Sequence, residues 1–183
     1  MTGPPYICEV LADNHELGHF ECGDDRYDEW LIDRARTAQE RFDSTVYVLV
    51  EPARPDYVLA YFTLSSSNVS RASVSGRFKK HASFESLPAT LIGMLARHHS
   101  HGGMLDHILR AAFEGALEGS RMVASRLLVI DAASEKLAAL YEGYGFKRAK
   151  QVEGASSVRL VLLMQDLVEA LQEDSKDAAT AGN

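Results

Sequence analysis

The chain of 183 residues lacks the features of secreted and membrane-spanning proteins. Its two cysteines, Cys8 and Cys22, are too few for a disulfide framework, and we expect them to be reduced thiols. No apolar run approaches the roughly 20 residues that a membrane helix needs. The stretch MTGPPYICEV at the start has neither the basic residues nor the long apolar run of a signal peptide. We therefore expect a cytoplasmic protein.

Acidic residues are almost missing from one segment. Between Tyr57 and Leu105 the only acid is Glu85, whereas the segment holds five arginines and lysines and four histidines. Without the histidines it sums to +4, so the rest of a chain with net charge −7 sums to −11. A basic segment on an acidic protein can concentrate an anionic ligand. Charge alone leaves open a solvated basic loop that binds nothing.

Hydrophobic patterns predict helices and strands along the whole chain. The stretch CGDDRYDEWLIDRARTAQERF is typical of a helix, with Asp24 or Asp25 as its cap. STVYVLVE, DYVLAYFTLSSSNVS and LPATLIGMLAR are predicted strands, and Gly93 indicates a bulge or a close backbone approach. A helix from about Leu105, the strand ASRLLVIDA, the helix SEKLAALYEGYGF and the strand SSVRLVLLMQDLV follow. This order predicts an α/β or α+β fold, with helices packed on one sheet.

The length suits a single domain, which we place at residues 1–171. The polar stretch QEDSKDAATAGN, residues 172–183, is expected to be a disordered tail because it has few apolar residues to bury.

The stretch ARHHSHGGMLDHIL joins a predicted strand to a predicted helix, and three histidines and two glycines lie in its loop part, HHSHGG. No cysteine or pair of carboxylates nearby completes a metal site, so we predict no metal and interpret His98, His99 and His101 as solvated turn residues. Gly102 and Gly103 allow a tight turn that aims backbone N–H groups at a ligand, and the helix dipole favours phosphate there. A plain strand-to-helix turn is the alternative. An acid in the first helical turn, Asp106, counts against phosphate because its carboxylate can occupy the positive end.

A second stretch, ALYEGYGFKR, ends a short helix in a glycine-aromatic turn. Phe146 is expected in the core and Tyr144 half-buried. Tyr141 lies one turn earlier, where composition alone is also compatible with a core residue.

These stretches resemble known motifs. ALYEGYGF resembles the Y-x-x-x-GF ending of GNAT-fold acyl-CoA N-acetyltransferases, and LIGMLARHHSHGGMLDHIL is similar to their pyrophosphate loop. HFECGDDRYDEWL resembles the opening of GNAT toxins from bacterial type II toxin–antitoxin pairs. The resemblance covers roughly residues 6–168. It departs from the family at a shorter glycine loop, with Leu105 where a small residue is usual, and at Tyr27, where leucine is usual.

The resemblance implies a GNAT fold, with a single mixed, mostly antiparallel twisted sheet, flanking helices and splayed central strands. It implies that Tyr141 is the general acid toward the coenzyme A thiolate. It places acetyl-CoA, without a metal, on the end of the third strand and the glycine turn, at Leu95, Ala96, Arg97, His101, Gly102, Gly103, Met104 and Leu105.

The toxin subgroup implies acetyl transfer to the amino group of aminoacyl-tRNA, which blocks translation. It also implies a ribbon-helix-helix antitoxin and a homodimer. The basic residues that suit tRNA phosphates are Arg71, Arg77, Lys79 and Lys80. Two alternatives stay open: an N-acetyltransferase for a small amine or a protein N-terminus, and a degenerate GNAT domain that binds without catalysis. The basic residues favour tRNA over a small amine, whereas Leu105 favours the degenerate domain.

Overall fold

The computed structural model describes residues 6–150 and 154–180. Its helices are α1 Asp25–Glu29, α2 Ala35–Glu40, α3 Leu105–Met122, α4 Glu135–Glu142 and α5 Met164–Thr180. Its strands are β1 Ile7–Val10, β2 Thr45–Val50, β3 Ala60–Ser70, β4 Ser86–Arg97, β5 Leu127–Ala132, β6 Lys147–Arg148 and β7 Val158–Leu163. A π-helical turn, Trp30–Arg34, joins α1 to α2. In the described part of the chain, no helix is long and apolar enough to cross a lipid bilayer.

The strands form a seven-stranded sheet in the order β1-β2-β3-β4-β5-β7-β6. β2 pairs antiparallel with β1 and β3, and β7 pairs antiparallel with β5 and β6. This mostly antiparallel sheet with flanking helices confirms the predicted fold class. The splay of the central strands stays a prediction.

The chain divides into two compact units whose boundaries fall inside β3, β4 and α3. The first unit comprises Met1–Ser65 and Ile92–Gly115, and the second comprises Ser66–Leu91 and Ala116–Asn183. The single domain over residues 1–171 therefore stays a prediction.

The core of the first unit joins the N-terminal helical segment to β2. The carboxylate of Asp24 accepts a hydrogen bond from the backbone N–H of Arg26, so this aspartate is the predicted cap of α1. Leu31 and Ala35 are fully buried in one apolar cluster with alternate residues of β2. The predicted helix and strand are both confirmed, because each buries the face that its periodicity indicated.

The core of the second unit lies on β5 and β7. Leu127 and Val129 of β5 are buried in one cluster with Val161 and Leu163 of β7. Leu127 pairs with Leu163, and Val129 pairs with Val161, so cross-strand neighbours occupy the same face.

Three features differ from the sequence-based prediction. The short strands β1 and β6, which are largely exposed, were not predicted. Their sequences carry little apolar alternation, because the pairing with β2 and β7 decides their conformation. The expected disordered tail is corrected over residues 172–180, which are helical because α5 continues to Thr180. The start of α5 is anchored by buried Leu167, and good helix formers follow it. Residues 181–183 lie outside the described residues.

Candidate functional site

The glycine loop, residues 98–104, connects β4 to α3 in the first unit. Gly103 has φ +74°, a conformation that glycine adopts without strain. A side chain built at Gly102 or Gly103 would meet no atom within 4 Å, so the turn is open. The N–H of Ile108 donates to the carbonyl of Met104 at 3.0 Å, and α3 starts directly after Met104. The first N–H groups of this 18-residue helix and its dipole favour an anion at the turn.

One arginine holds the backbone of the glycine loop. Nη1 of Arg97 donates to the carbonyl of His101 at 2.9 Å, with longer contacts to the carbonyls of His98 and His99 at 3.4 and 3.5 Å. Arg97 is exposed, so its charge reaches solvent at the same turn. The glycine loop therefore offers both a cation and the N–H groups of a helix start, which fits the pyrophosphate of acetyl-CoA. The part of the predicted site formed by Ala96, His101 and Leu105 is half-buried, whereas Met104 is fully buried beneath the turn.

The interpretation of the three histidines as solvated is wrong for His98, which is 7% exposed. Its Nδ1 lies 2.7 Å from Oγ of Ser100, and its backbone N–H donates to the carbonyl of Leu59 at 2.7 Å. Burial lowers the pKa of His98, and the neighbouring His99 adds to this effect. His99 is exposed, as predicted, and His101 is half-buried. Within residues 6–150 and 154–180, no three histidine, cysteine or acidic side chains are grouped as metal ligands.

In the strand that leads into the loop, a neighbouring side chain lies close to Gly93. A Cβ there would lie 2.5 Å from Oγ1 of Thr63, so a neighbour does approach this glycine closely, although it is a side-chain oxygen and not the predicted backbone. The N–H of Met94 donates to the same Oγ1 at 3.0 Å. A side-chain hydroxyl thus takes a backbone donor just before the predicted pantetheine contacts at Leu95, Ala96 and Arg97.

The second predicted site residue, Tyr141, lies in α4 of the second unit. Tyr141 is 6% exposed, and its ring centroid lies 6.3 Å from that of Phe146. Its carbonyl accepts the N–H of Tyr144 at 3.0 Å, and Gly145 follows with φ +94°. The turn is therefore wound tightly around the end of α4. Phe146 is fully buried and Tyr144 half-buried, as predicted.

A single arginine also ties both ends of α4 together. Arg148 donates to Glu135 at 2.7 Å, in the first turn, and to Glu142 at 3.1 Å, in the last. These contacts restrain the helix that carries Tyr141. The role of Tyr141 as a general acid stays a prediction.

The basic loop, residues 71–85, connects β3 to β4 in the second unit. Nη2 of Arg77 donates to Oδ1 of Asp166 at 2.6 Å, and Nη1 of Arg71 lies 3.6 Å from Oε1 of Glu85. Lys79 and Lys80 are exposed. Two of the four predicted tRNA contacts are thus already paired with carboxylates, a fact that the sequence does not reveal.

Sequence reasoning missed Arg126, which organises the basic loop. Its Nε donates to the carbonyl of Phe78 at 3.0 Å, and its Nη2 donates to that of Lys80 at 2.7 Å. No local signal marks this residue, because its partners lie more than 40 residues earlier in the chain.

The N-terminal motif residues are mainly structural. Phe20 is buried, and the N–H of Cys22 donates to Asp28 at 2.9 Å. The hydroxyl of buried Tyr61 donates to the carbonyl of Tyr27 at 2.8 Å. Burial, followed by the Asp28 side chain, raises the pKa of Cys22 to about 11. This thiol is therefore protonated at neutral pH and is a poor nucleophile.

No protein-family model matches the chain. Several solved structures resemble it over nearly their whole length. A Tyr→Phe mutant of KacT has a TM-score of 0.81 at 21% identity, over 91% of this chain and 99% of KacT. AtaT complexed with acetyl-methionyl-tRNAfMet has a TM-score of 0.79 at 25% identity, over 91% and 98%. A Tyr→Phe mutant of the toxin AtaT, bound to the C-terminus of the antitoxin AtaR and acetyl-CoA, has a TM-score of 0.73 at 20% identity, over 92% and 99%. The chain therefore shares its fold with KacT and with the toxin AtaT, which confirms the GNAT fold that its motifs predicted.

Proposed function

We propose that the chain is an acetyl-CoA-dependent N-acetyltransferase toxin that acetylates the amino group of aminoacyl-tRNA and so blocks translation. The observation that carries this proposal is the fold shared with AtaT complexed with acetyl-methionyl-tRNAfMet, over 91% of this chain. The open glycine turn at the start of α3 supports it independently, because it offers an anion site of the kind that a pyrophosphate needs.

Acetyl-CoA is the acetyl donor in this proposal. Its pyrophosphate would bind the glycine loop through the N–H groups at the start of α3 and the charge of Arg97. Its acyl-pantetheine arm would bind the backbone of β4 at Leu95–Arg97. The bulk of Leu105 would limit how closely the pyrophosphate approaches the helix.

The reaction follows from the chemistry of a thioester. The amine nitrogen attacks the thioester carbonyl carbon, the C–S bond breaks, the amine loses one proton and the departing sulfur gains one. No covalent enzyme intermediate is required, so positioning supplies much of the rate. Backbone N–H groups of β4 would stabilise the carbonyl oxygen, and Tyr141 would give its proton to the sulfur.

The tRNA would be held through its phosphates by Arg71, Arg77, Lys79 and Lys80, because such contacts supply affinity that is independent of sequence. We also propose a ribbon-helix-helix antitoxin as partner, a homodimer as the assembly and the cytoplasm as the place of action. An antitoxin bound to AtaT supports the first of these.

Transfer of labelled acetyl groups tests the function. Purified protein and radiolabelled acetyl-CoA would be incubated in parallel reactions with one acceptor each. The acceptors are mixed aminoacyl-tRNA, deacylated tRNA, a set of small amines and peptides with free N-termini. We expect label only in the aminoacyl-tRNA, released together with the amino acid on mild alkaline hydrolysis. Label in amines or peptides alone would establish the alternative acetyltransferase. Failure to bind acetyl-CoA in calorimetry would establish the degenerate domain.

The partners need separate measurements. Light scattering of the purified chain should give twice its mass of 20.1 kDa if it is a homodimer. The gene upstream of the coding sequence should encode a small ribbon-helix-helix protein that suppresses acetylation when it is added at equal concentration.

A further inference from the structure

The second unit contains a cavity of about 490 Å³ outside the predicted acetyl-CoA site. Its charged walls come from the basic loop and from the residue before β5, and its remaining wall includes the first residues of α5. The residues that matter for its chemistry are Arg77, Lys80, His81, Arg126, Met164 and Gln165. We propose that this cavity binds a backbone phosphate of the tRNA, and that Asp166 competes with that phosphate for Arg77. The proposal rests on the proposed function and names a contact of its substrate.

The cavity is built from fixed backbone. Arg126 bonds the carbonyls of Phe78 and Lys80, its own N–H donates to the carbonyl of Pro88 at 2.8 Å, and its carbonyl accepts the N–H of Met164 at 3.0 Å. One residue thereby joins the basic loop, β4 and the start of α5. The walls are therefore held in place before any ligand arrives, which reduces the entropy lost on binding.

The charge of the cavity specifies an anion. Two arginines and one lysine line it, and the N-terminus of the 17-residue helix α5 adds partial positive charge. Arg126 uses two of its five N–H donors on carbonyls, which do not neutralise it. Concentrated like charges of this kind favour a ligand with several acceptor oxygens, and arginine forks match phosphate geometry.

The only carboxylate bonded to these cavity cations, among the described residues, is that of Asp166. It accepts from Arg77 at 2.6 Å, and its side chain is 28% exposed. A phosphate that enters the cavity must therefore displace Asp166 from Arg77. A single weak anion gains little affinity from this exchange, whereas a polyanion that is also bound through neighbouring phosphates can displace Asp166.

Binding of deacylated tRNA tests the cavity without any chemistry. Dissociation constants would be measured by filter binding over a range of salt for the parent, Lys80→Gln, Asp166→Asn and the control Lys147→Gln. Lys147 is an exposed lysine of β6 that does not line the cavity. We avoid Arg126 variants, because Arg126 also holds the backbone of the loop.

We expect Lys80→Gln to weaken binding and to reduce the slope of log K against log salt by about 1. Asp166→Asn should tighten binding a few-fold, since it removes the competitor and keeps the shape of the side chain. Lys147→Gln should match the parent. Equal affinities for Lys80→Gln and Lys147→Gln, or no gain in Asp166→Asn, would overturn the proposal.

Two further measurements complete the test. The first distinguishes a tRNA phosphate in the cavity from a phosphate of the cofactor. The second separates the test of the cavity from the test of the proposed activity. Excess coenzyme A, whose phosphates share the same chemistry, should not displace deacylated tRNA; displacement would assign the cavity to the cofactor and overturn the proposal. The parent protein would also be assayed with an aminoacyl-nucleoside fragment that lacks a phosphate backbone. Acetylation of neither this fragment nor aminoacyl-tRNA would refute the proposed function, whereas the binding series would still decide about the cavity.

Discussion

The glycine loop and the basic loop are each shaped by one arginine, but they differ in where that arginine lies in the sequence. In each loop, the arginine donates hydrogen bonds to backbone carbonyls and thereby fixes the shape of the loop. Arg97 holds carbonyls one, two and four residues further along the chain. Arg126 holds carbonyls 46 and 48 residues before it. The first loop is a local structure, whereas the second depends on a residue brought to it by the fold.

The two loops also differ in how their charge is compensated. Arg97 donates its hydrogen bonds to carbonyls, which orient the guanidinium without cancelling its charge. Arg77 in the basic loop instead donates to the carboxylate of Asp166, which does cancel charge. An anion can therefore use the glycine loop directly, but it must compete for part of the basic loop.

The largest effect is expected from a change outside both loops. Tyr141→Phe keeps the ring and its contact with Phe146 but removes the proton donor, so turnover should fall by roughly 10²–10⁴-fold if proton transfer limits the rate. Acetyl-CoA affinity should stay close to that of the parent, because both loops are intact. Steady-state acetylation and calorimetry measure these two quantities.

Tyr144→Phe is the matched control for this change, since Tyr144 is half-buried in the same turn. It should cost far less turnover. If Tyr141→Phe unfolds at a much lower temperature than both the parent and this control, the lost turnover reflects a core residue and not a proton donor.

The second-largest effect is expected from reversing the charge of the basic loop alone. Changing Arg77, Lys79 and Lys80 to glutamate should weaken tRNA binding on the order of 10- to 100-fold and flatten its salt dependence. Glutamate at position 77 would in addition face Asp166, which makes the reversal more disruptive than its charge alone. Acetyl-CoA affinity should be nearly unaltered in calorimetry.

The control carries the same change of net charge elsewhere in the second unit. Lys136, Lys147 and Lys150 are exposed and lie outside the cavity, and all three become glutamate. A similar loss of tRNA affinity in both triple variants would mean that overall charge, and not the basic loop, determines binding.

The third-largest effect is expected from removing the arginine that holds the glycine loop. Arg97→Gln removes the charge and the bond to the carbonyl of His101, so acetyl-CoA affinity should fall roughly tenfold. Binding of deacylated tRNA should change little. The exposed Arg41 supplies a control, Arg41→Gln, with the same loss of charge in the same unit. Indistinguishable calorimetric affinities for the two variants would remove Arg97 from the site.

The local character of the glycine loop explains why much of it could be predicted. The start of α3 and the close approach at Gly93 follow from periodicity and from glycine positions within a few residues, and the burial of Phe146 in the second unit is predicted in the same local way. The burial of His98 could not be predicted, because the aromatic rings around it come from distant residues, His19, Phe20 and Tyr57. The contacts of Arg126 escaped prediction for the same reason.

A smaller effect sharpens the description of the glycine loop. If the side chain of Leu105 obstructs the pyrophosphate, Leu105→Gly should tighten acetyl-CoA binding a few-fold. Glycine also costs about 1 kcal/mol at a helical position, so Leu105→Ala is made in parallel to remove bulk without that cost. Calorimetry should show tighter binding in both variants. Weaker or unchanged binding in Leu105→Ala would mean that this side chain does not limit the site.

The smallest effect concerns pH and the buried histidine of the glycine loop. Because burial lowers the pKa of His98 in the folded state, the unfolded chain binds that proton more readily, and the free energy of unfolding falls as pH drops below about 6.5. His98→Asn keeps a short polar side chain beside Ser100 but does not titrate. Its melting temperature should therefore decline less steeply than that of the parent between about pH 7.5 and about pH 5. The exposed His99 supplies the control, His99→Asn, which keeps the buried His98, so its melting temperature should decline nearly as steeply as that of the parent. Equal slopes for the two variants would show that the burial of His98 contributes nothing to the pH dependence of stability.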